Sequence, residues 1–190
     1  MRSHRVLAFL FIGCMTLFVF PQAVDAKDKT TTEVDQAFEQ MLRGIDTVPT
    51  RAAMEKRWPD IHIRLSAAAK QSARDNYTRS RAISLLSFFA DVPAVKVTLK
   101  TLVKDPKARI RSISIYTLAR AFGDPGDKAL VSLIEGCVSD KHEQVRTHAI
   151  RSLRWVRHER SVTLLKRIVK NAAEERLRRL AERTLEKRRF

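Results

Sequence analysis

The chain has 190 residues, with 37 Lys and Arg against 21 Asp and Glu, a formal net charge of +16 at pH 7. That length suits one domain, and the charge makes anionic partners the natural ones. The sequence contains no glycine-rich phosphate loop and no serine nucleophile elbow, which removes the commonest phosphate-binding and hydrolase classes.

Met1 to Arg5 carries Arg2 and Arg5, Val6 to Phe20 is an uncharged apolar run, Pro21 breaks it, and Val24-Asp25-Ala26 precedes Lys27. This order predicts a secretory signal peptide over residues 1–26, cleaved after Ala26, and a periplasmic or secreted protein. The apolar run is short for a span, which needs about 20 residues. An uncleaved anchor and lipid attachment at Cys14 are the weaker alternatives. Once the signal leaves, no integral membrane span is expected and Cys137 is the one remaining cysteine, so the mature protein holds itself together by core packing rather than by an intrachain disulfide. Cys137 is in phase with Leu130, Leu133 and Ile134 and reads as a buried small hydrophobe.

Lys27 to Thr31 is expected to be disordered. Thr32 to Ile45 then predicts an amphipathic helix with Val34, Phe38, Met41, Leu42 and Ile45 on one face, and Thr50 to Trp58 a short one. Residues 27–58 therefore read as a tail and capping helices for a repeat domain over 59–190. Within that domain four units of two helices are expected, near 60–89, 92–121, 125–156 and 160–187. Asp91, Asp105, Asp124 and Asp140 are expected to cap helices, Pro93, Pro106 and Pro125 to open them, and Gly123 to close one in a left-handed conformation.

The repeat itself is written most clearly as Asp140 followed by Val145-Arg146, Ala149 and Leu153, and again as Asp105 followed by Ile110-Arg111, Ser114 and Leu118. Weaker copies run through Arg79, Ala82 and Leu86 and through Arg178, Ala181 and Leu185. The spacing between the leucines is 32, 35 and 32 residues, a period that means stacked helical units. These residues resemble HEAT repeats, of the short kind also seen in phycobilisome-lyase-type proteins. The resemblance implies an all-α fold: a right-handed α-solenoid of the ARM/HEAT type with about four two-helix repeats and an N-terminal helical cap. It also implies a hydrogen-bonded Asp–Arg ladder between units, which makes Arg79, Arg111, Arg146 and Arg178 structural. The first unit departs from the pattern, with Thr78 at the aliphatic position, and the fourth places Asn171 near the Asp position.

The positive charge is uneven. Lys141 to Phe190 holds 16 basic and 6 acidic residues, Lys27 to Asp140 19 and 14. If the second helices line the concave face, as the resemblance implies, Arg81 and His148 share one row with Ile113 and Leu180. Tyr116, Arg151 and Arg183 share a second row with Ser84, and Arg120 and Trp155 a third with Phe88 and Lys187. Phe88 reads as core edge. Arg154 flanks Trp155. Aromatic residues interleaved with arginine suit a recognition surface, so Arg81, Tyr116, Arg120, His148, Arg151, Arg154, Trp155 and Arg183 are the expected partner-binding residues. Arg188 reads as exposed and replaceable. His142-Glu143 and His158-Glu159 do not recur in the other units, so no metal and no cofactor is expected. The function expected is non-enzymatic: an exported scaffold that binds another envelope protein through its concave and C-terminal basic surface, with a polyanion or nucleic acid as the alternative partner.

Overall fold

The computed structural model describes residues 26–45, 47–123 and 127–188. The expected signal segment lies outside the described residues up to Ala26. The chain divides into two compact units, Met1–Phe38 and Glu39–Phe190. The described part of the first is helical: α1 (Ala26–Arg43) starts there and ends in the second. Lys27 to Thr31, expected to be disordered, belongs to this helix. Once a helix is nucleated, each added residue gains one backbone bond, so a polar stretch joins it readily. The helix stops at Arg43, short of Ile45. Ile45, expected on the apolar face, is 78% exposed, while Leu42 is fully buried.

The second unit opens with α2 (Arg51–Arg57), where the Thr50 side chain accepts from Ala53 N at 3.2 Å and caps the helix. Met54 and Trp58 point inward. The segment is tied to the helices that follow: Arg51 pairs with Asp91 at 2.5 Å and lies over the Phe89 ring at 4.9 Å, and Arg81 donates to the Thr47 carbonyl. Asp91 is therefore the partner of Arg51, which holds its carboxyl below the usual range. It is not the cap of the next helix.

Four helix pairs follow among the described residues: α3 (Ile61–Lys70) with α4 (Asn76–Leu85), α5 (Pro93–Leu102) with α6 (Ala108–Phe122), α7 (Lys128–Val138) with α8 (Glu143–Ser152), and α9 (Glu159–Asn171) with α10 (Glu175–Glu186). No strand occurs among the described residues. Leu86, Leu118, Leu153 and the small residues Ala82, Ser114, Ala149 and Ala181 are all fully buried. The small side chains let α4, α6, α8 and α10 pack directly on one another in sequence. The first helices are less closely joined: α3 meets α5 and α7 meets α9, whereas α5 and α7 barely touch. A stack curves toward its closer-packed layer, so the second helices form the inner side.

Several local expectations are corrected. Asp105 and Asp140 do not cap helices; each carboxylate accepts the backbone N–H two residues on, at Lys107 and His142, both at 2.9 Å, and shapes the turn. The N-cap of α7 is Asp127, which accepts from Ala129 N at 2.8 Å; the expected cap Asp124, with Pro125, lies outside the described residues. Gly123 ends α6 with φ −75° and ψ −9°, an ordinary right-handed conformation. Its need is space: a Cβ there would fall on the carbonyl oxygens of Ala119 and Trp155, well inside van der Waals contact. Phe88 is 38% exposed and Phe89 takes the core instead. Leu86–Phe89 winds as a 3-10 helix, whose three residues per turn rotate the inward position by one.

Candidate interaction surface

The arginines of the second helices fall into two groups. The first group links the repeats. Arg79, only 1% exposed, donates from Nε to Ala69 O at 2.9 Å and pairs with Asp105 of the next unit. Arg111 grips both oxygens of Asp140 at 2.9 Å, which lowers the pKa of that carboxyl, and its Nη1 reaches back to the carbonyls of Asp105 and Pro106. Arg146 repeats the geometry on the carbonyls of Asp140 and Lys141 and pairs with Glu174 at 2.7 Å. Arg178 binds the carbonyls of Ala172 and Ala173. Arg111, Arg146 and Arg178 thus satisfy the carbonyls of their own turns, Arg79 a carbonyl at the end of α3, and the first three arginines also bond to the acid of the following unit. The acid of the fourth unit is Glu174 rather than a residue at the Asn171 position, because the longer side chain supplies from the cap of α10 what a turn Asp supplies elsewhere.

The second group faces outward on the same layer. Arg120, Arg151 and Arg183 are exposed and Arg154 half-buried, and none of the four makes an ion pair among the described residues. Arg154 lies over the Trp155 ring at 4.3 Å. Tyr116 of α6 and His148 of α8 meet with ring centroids 5.8 Å apart and planes tilted by 55°. Burial, aided by the Arg151 charge, lowers the pKa of His148 and favours neutral imidazole. Its Nδ1 and the Nε1 of Trp155 are buried without a hydrogen-bond partner among the described residues. Trp155 sits where the chain after α8 crosses the end of α6, with Arg157 N donating to Gly123 O at 3.1 Å, so Trp155 and Arg120 come from adjoining helix ends.

Of the expected residues, Arg81 is the one most engaged within the fold, half-buried and spent on the Thr47 carbonyl. Leu180, in the row of Arg81 and His148, is buried. The structure brings Tyr116 to His148 and Arg154 to Trp155; Arg151 and Arg183 stand exposed on α8 and α10.

Arg188 overturns its expectation. Its guanidinium donates to Leu153 O at 3.0 Å, Val156 O at 2.9 Å and Ser161 Oγ at 2.7 Å, and burial lowers its pKa. It pins the end of α10 to the turn after α8, adding to the bonds that Leu153 O and Val156 O already accept around the 3-10 segment Leu153–Trp155. A terminal Lys-Arg-Arg run gives no sign of this. Cys137 is buried as expected, and burial pushes its thiol up to about 11. His142 is exposed and His158 caps α9 through Nδ1, which accepts from Arg160 N at 3.0 Å. No group of three metal-ligating side chains occurs among the described residues, and no helix there is long and apolar enough to cross a membrane.

No curated protein matches the chain in sequence. The family model for HEAT repeats matches residues 99–186, from within α5 to the last residue of α10, the stretch in which Arg111 and Arg146 link successive pairs; these residues are HEAT repeats.

Proposed function

We propose that this protein is an exported, non-enzymatic scaffold that binds another envelope protein on its layer of second helices, through Tyr116, Arg120, His148, Arg151, Arg154, Trp155 and Arg183. HEAT repeats as a family are protein-interaction scaffolds and generally not enzymes, which supports the class. The observation that carries the surface is the contrast in pairing. Arg79, Arg111 and Arg146 each have an acid, whereas the four outward arginines have none and stand with two aromatic side chains. Half-buried Trp and Tyr with Arg are the residue types that dominate binding energy at interfaces. Export rests on the arrangement of residues 1–26, and N-terminal sequencing of protein from cells, expected to start at Lys27, tests it.

The binding test is a double charge reversal, Arg151→Glu with Arg183→Glu. Both side chains are exposed, so helical content and melting should stay near wild type while capture of the partner from a native envelope fraction is lost. Lys166→Glu with Lys170→Glu, exposed on α9, removes equal charge from the other layer and should retain capture. Equal loss from both pairs, with binding that falls steeply as salt rises, would instead identify a polyanion held by net charge.

A further inference from the structure

The layer of first helices contains one groove that the concave surface does not involve. It has a volume of about 800 Å³ and lies between α3, α5 and α7. Its origin is visible in the connections. The chain passes from α4 to α5 through 90–92 and from α8 to α9 through 156–158, but from α6 to α7 through the longer 123–127. That insertion is the 35-residue spacing among spacings of 32, and α5 and α7 are left apart.

The floor is apolar and the rim basic. Val97 is 64% exposed although it sits mid-helix on α5, beside Leu102, Ala129 and Leu133. Around it stand Lys70, Lys100 and Lys104. Lys70 and Lys104 make no ion pair among the described residues, and Lys100 pairs only at 4.0 Å with Asp127, whose nearer partner is Lys96 at 3.3 Å. Asp105, the one acid in the lining, is committed to Arg79. The comparable groove one pair further on, between α7 and α9, is smaller, about 340 Å³, and its cations are neutralised: Arg146 by Glu174 and Arg167 by Glu135. Lys70 and Lys104, without an acid among the described residues, thus set the first groove apart from the second.

We propose that this outer groove is a second docking site, taken by an acidic amphipathic segment of a partner protein whose apolar side chains seat on Val97 and Leu133 while its carboxylates reach Lys70, Lys100 and Lys104. The volume is that of an ordinary ligand pocket, enough for a few side chains and not for a folded domain. Charge complementarity selects the occupant: a second copy of this chain would bring a net charge of +16 toward the lysines, and a neutral apolar peptide would leave Lys70 and Lys104 partly desolvated without an acid.

The test uses the full chain and a fluorescein-labelled synthetic peptide of about four helical turns, with Leu and Phe on one face and Asp and Glu on the other, read by anisotropy. It should bind. Val97→Asp, and separately Lys70→Glu with Lys104→Glu, should weaken it by about tenfold or more. All three side chains are exposed, and circular dichroism confirms that each variant is folded. Arg151→Glu with Arg183→Glu should change it by less than about twofold, which separates this site from the concave surface. The proposal is overturned if the peptide does not bind, if polyglutamate of equal charge binds as tightly, if Val97→Asp has no effect, or if phosphatidylglycerol vesicles occupy the groove and the peptide does not displace them.

Discussion

On α8, Arg146 is drawn under its own turn, bonded to two carbonyls and to Glu174 of the next unit, while Arg151 faces solvent without an acid. α6 repeats the contrast with Arg111 and Arg120. Residue type and helix are the same in each comparison, so identity cannot separate the roles. Position in the repeat does. Near the start of a second helix, a guanidinium meets the unsatisfied carbonyls of the preceding turn and the acid of the following unit. Later in the helix it meets neither, and its charge remains available for a partner.

The sharpest way to break this comparison is to remove one arginine from each group. Arg79→Ala leaves Asp105 nearly buried without its cation and should cost about 3–5 kcal/mol, the usual penalty for stranding a buried charge. Arg151→Ala should stay within about 0.5 kcal/mol, as exposed substitutions do. Denaturant melts decide, and comparable losses would mean that the ladder is not what joins the units. Close behind come Leu118→Ala and Leu153→Ala, both fully buried on the layer that carries the ladder. Each should cost about 2–5 kcal/mol. A tolerant Leu153 would show that α8 does not pack in the register described.

The repeat frame was legible because it is repeated. Four copies of a small residue and a leucine at fixed spacing overdetermine which face of the second helices is buried, and the helix pairs fall close to the expected spans. What was not legible is what happens once. Gly123 is needed for the passage of Trp155, a contact between distant residues that no local pattern encodes. Phe89 takes the core place expected for Phe88 because the chain after α4 tightens into a 3-10 turn. Asp91 reads as a helix cap and proves to be a cross-link to Arg51. The groove at Val97 had a signal that was missed: an apolar residue off the buried stripe of Val95, Leu99 and Leu102 and flanked by Lys96 and Lys100.

Arg188 sharpens the comparison from the other side, since its neighbours in sequence suggest the outward group and its bonds place it with the structural one. Arg188→Ala removes three hydrogen bonds made by a charged donor, to Leu153 O, Val156 O and Ser161 Oγ, and should cost about 1–3 kcal/mol. Arg188→Lys should recover part of that, because an ammonium can reach one acceptor but not the fork. A loss from Arg188→Ala as small as that from Arg151→Ala would return Arg188 to the exposed group.

The smallest effect expected is the pH dependence carried by His148, which sits where the two groups meet, half-buried beside Tyr116 and near the Arg151 charge. Burial, and then Arg151, lowers its pKa in the folded state. Between the folded and unfolded values the unfolded chain binds the proton and the folded chain does not, so stability rises with pH across that window and is lost as the solution is acidified. Asp140, whose carboxyl Arg111 holds low, contributes with the same sign but at lower pH: its stabilisation is present above the unfolded carboxylate value and is lost as pH falls through the folded one. The two are separable by window. Replacing His148 with Gln should flatten the melting profile just below neutrality and leave the steeper acid limb unchanged, whereas Arg111→Gln should shift the acid limb upward in pH and leave the His148 step in place. If Arg151→Gln also reduces the His148 step, the outward cation is acting on the imidazole from across the surface where the partner is proposed to bind. Binding of an acidic partner there would then raise the His148 pKa, and capture would strengthen slightly on mild acidification.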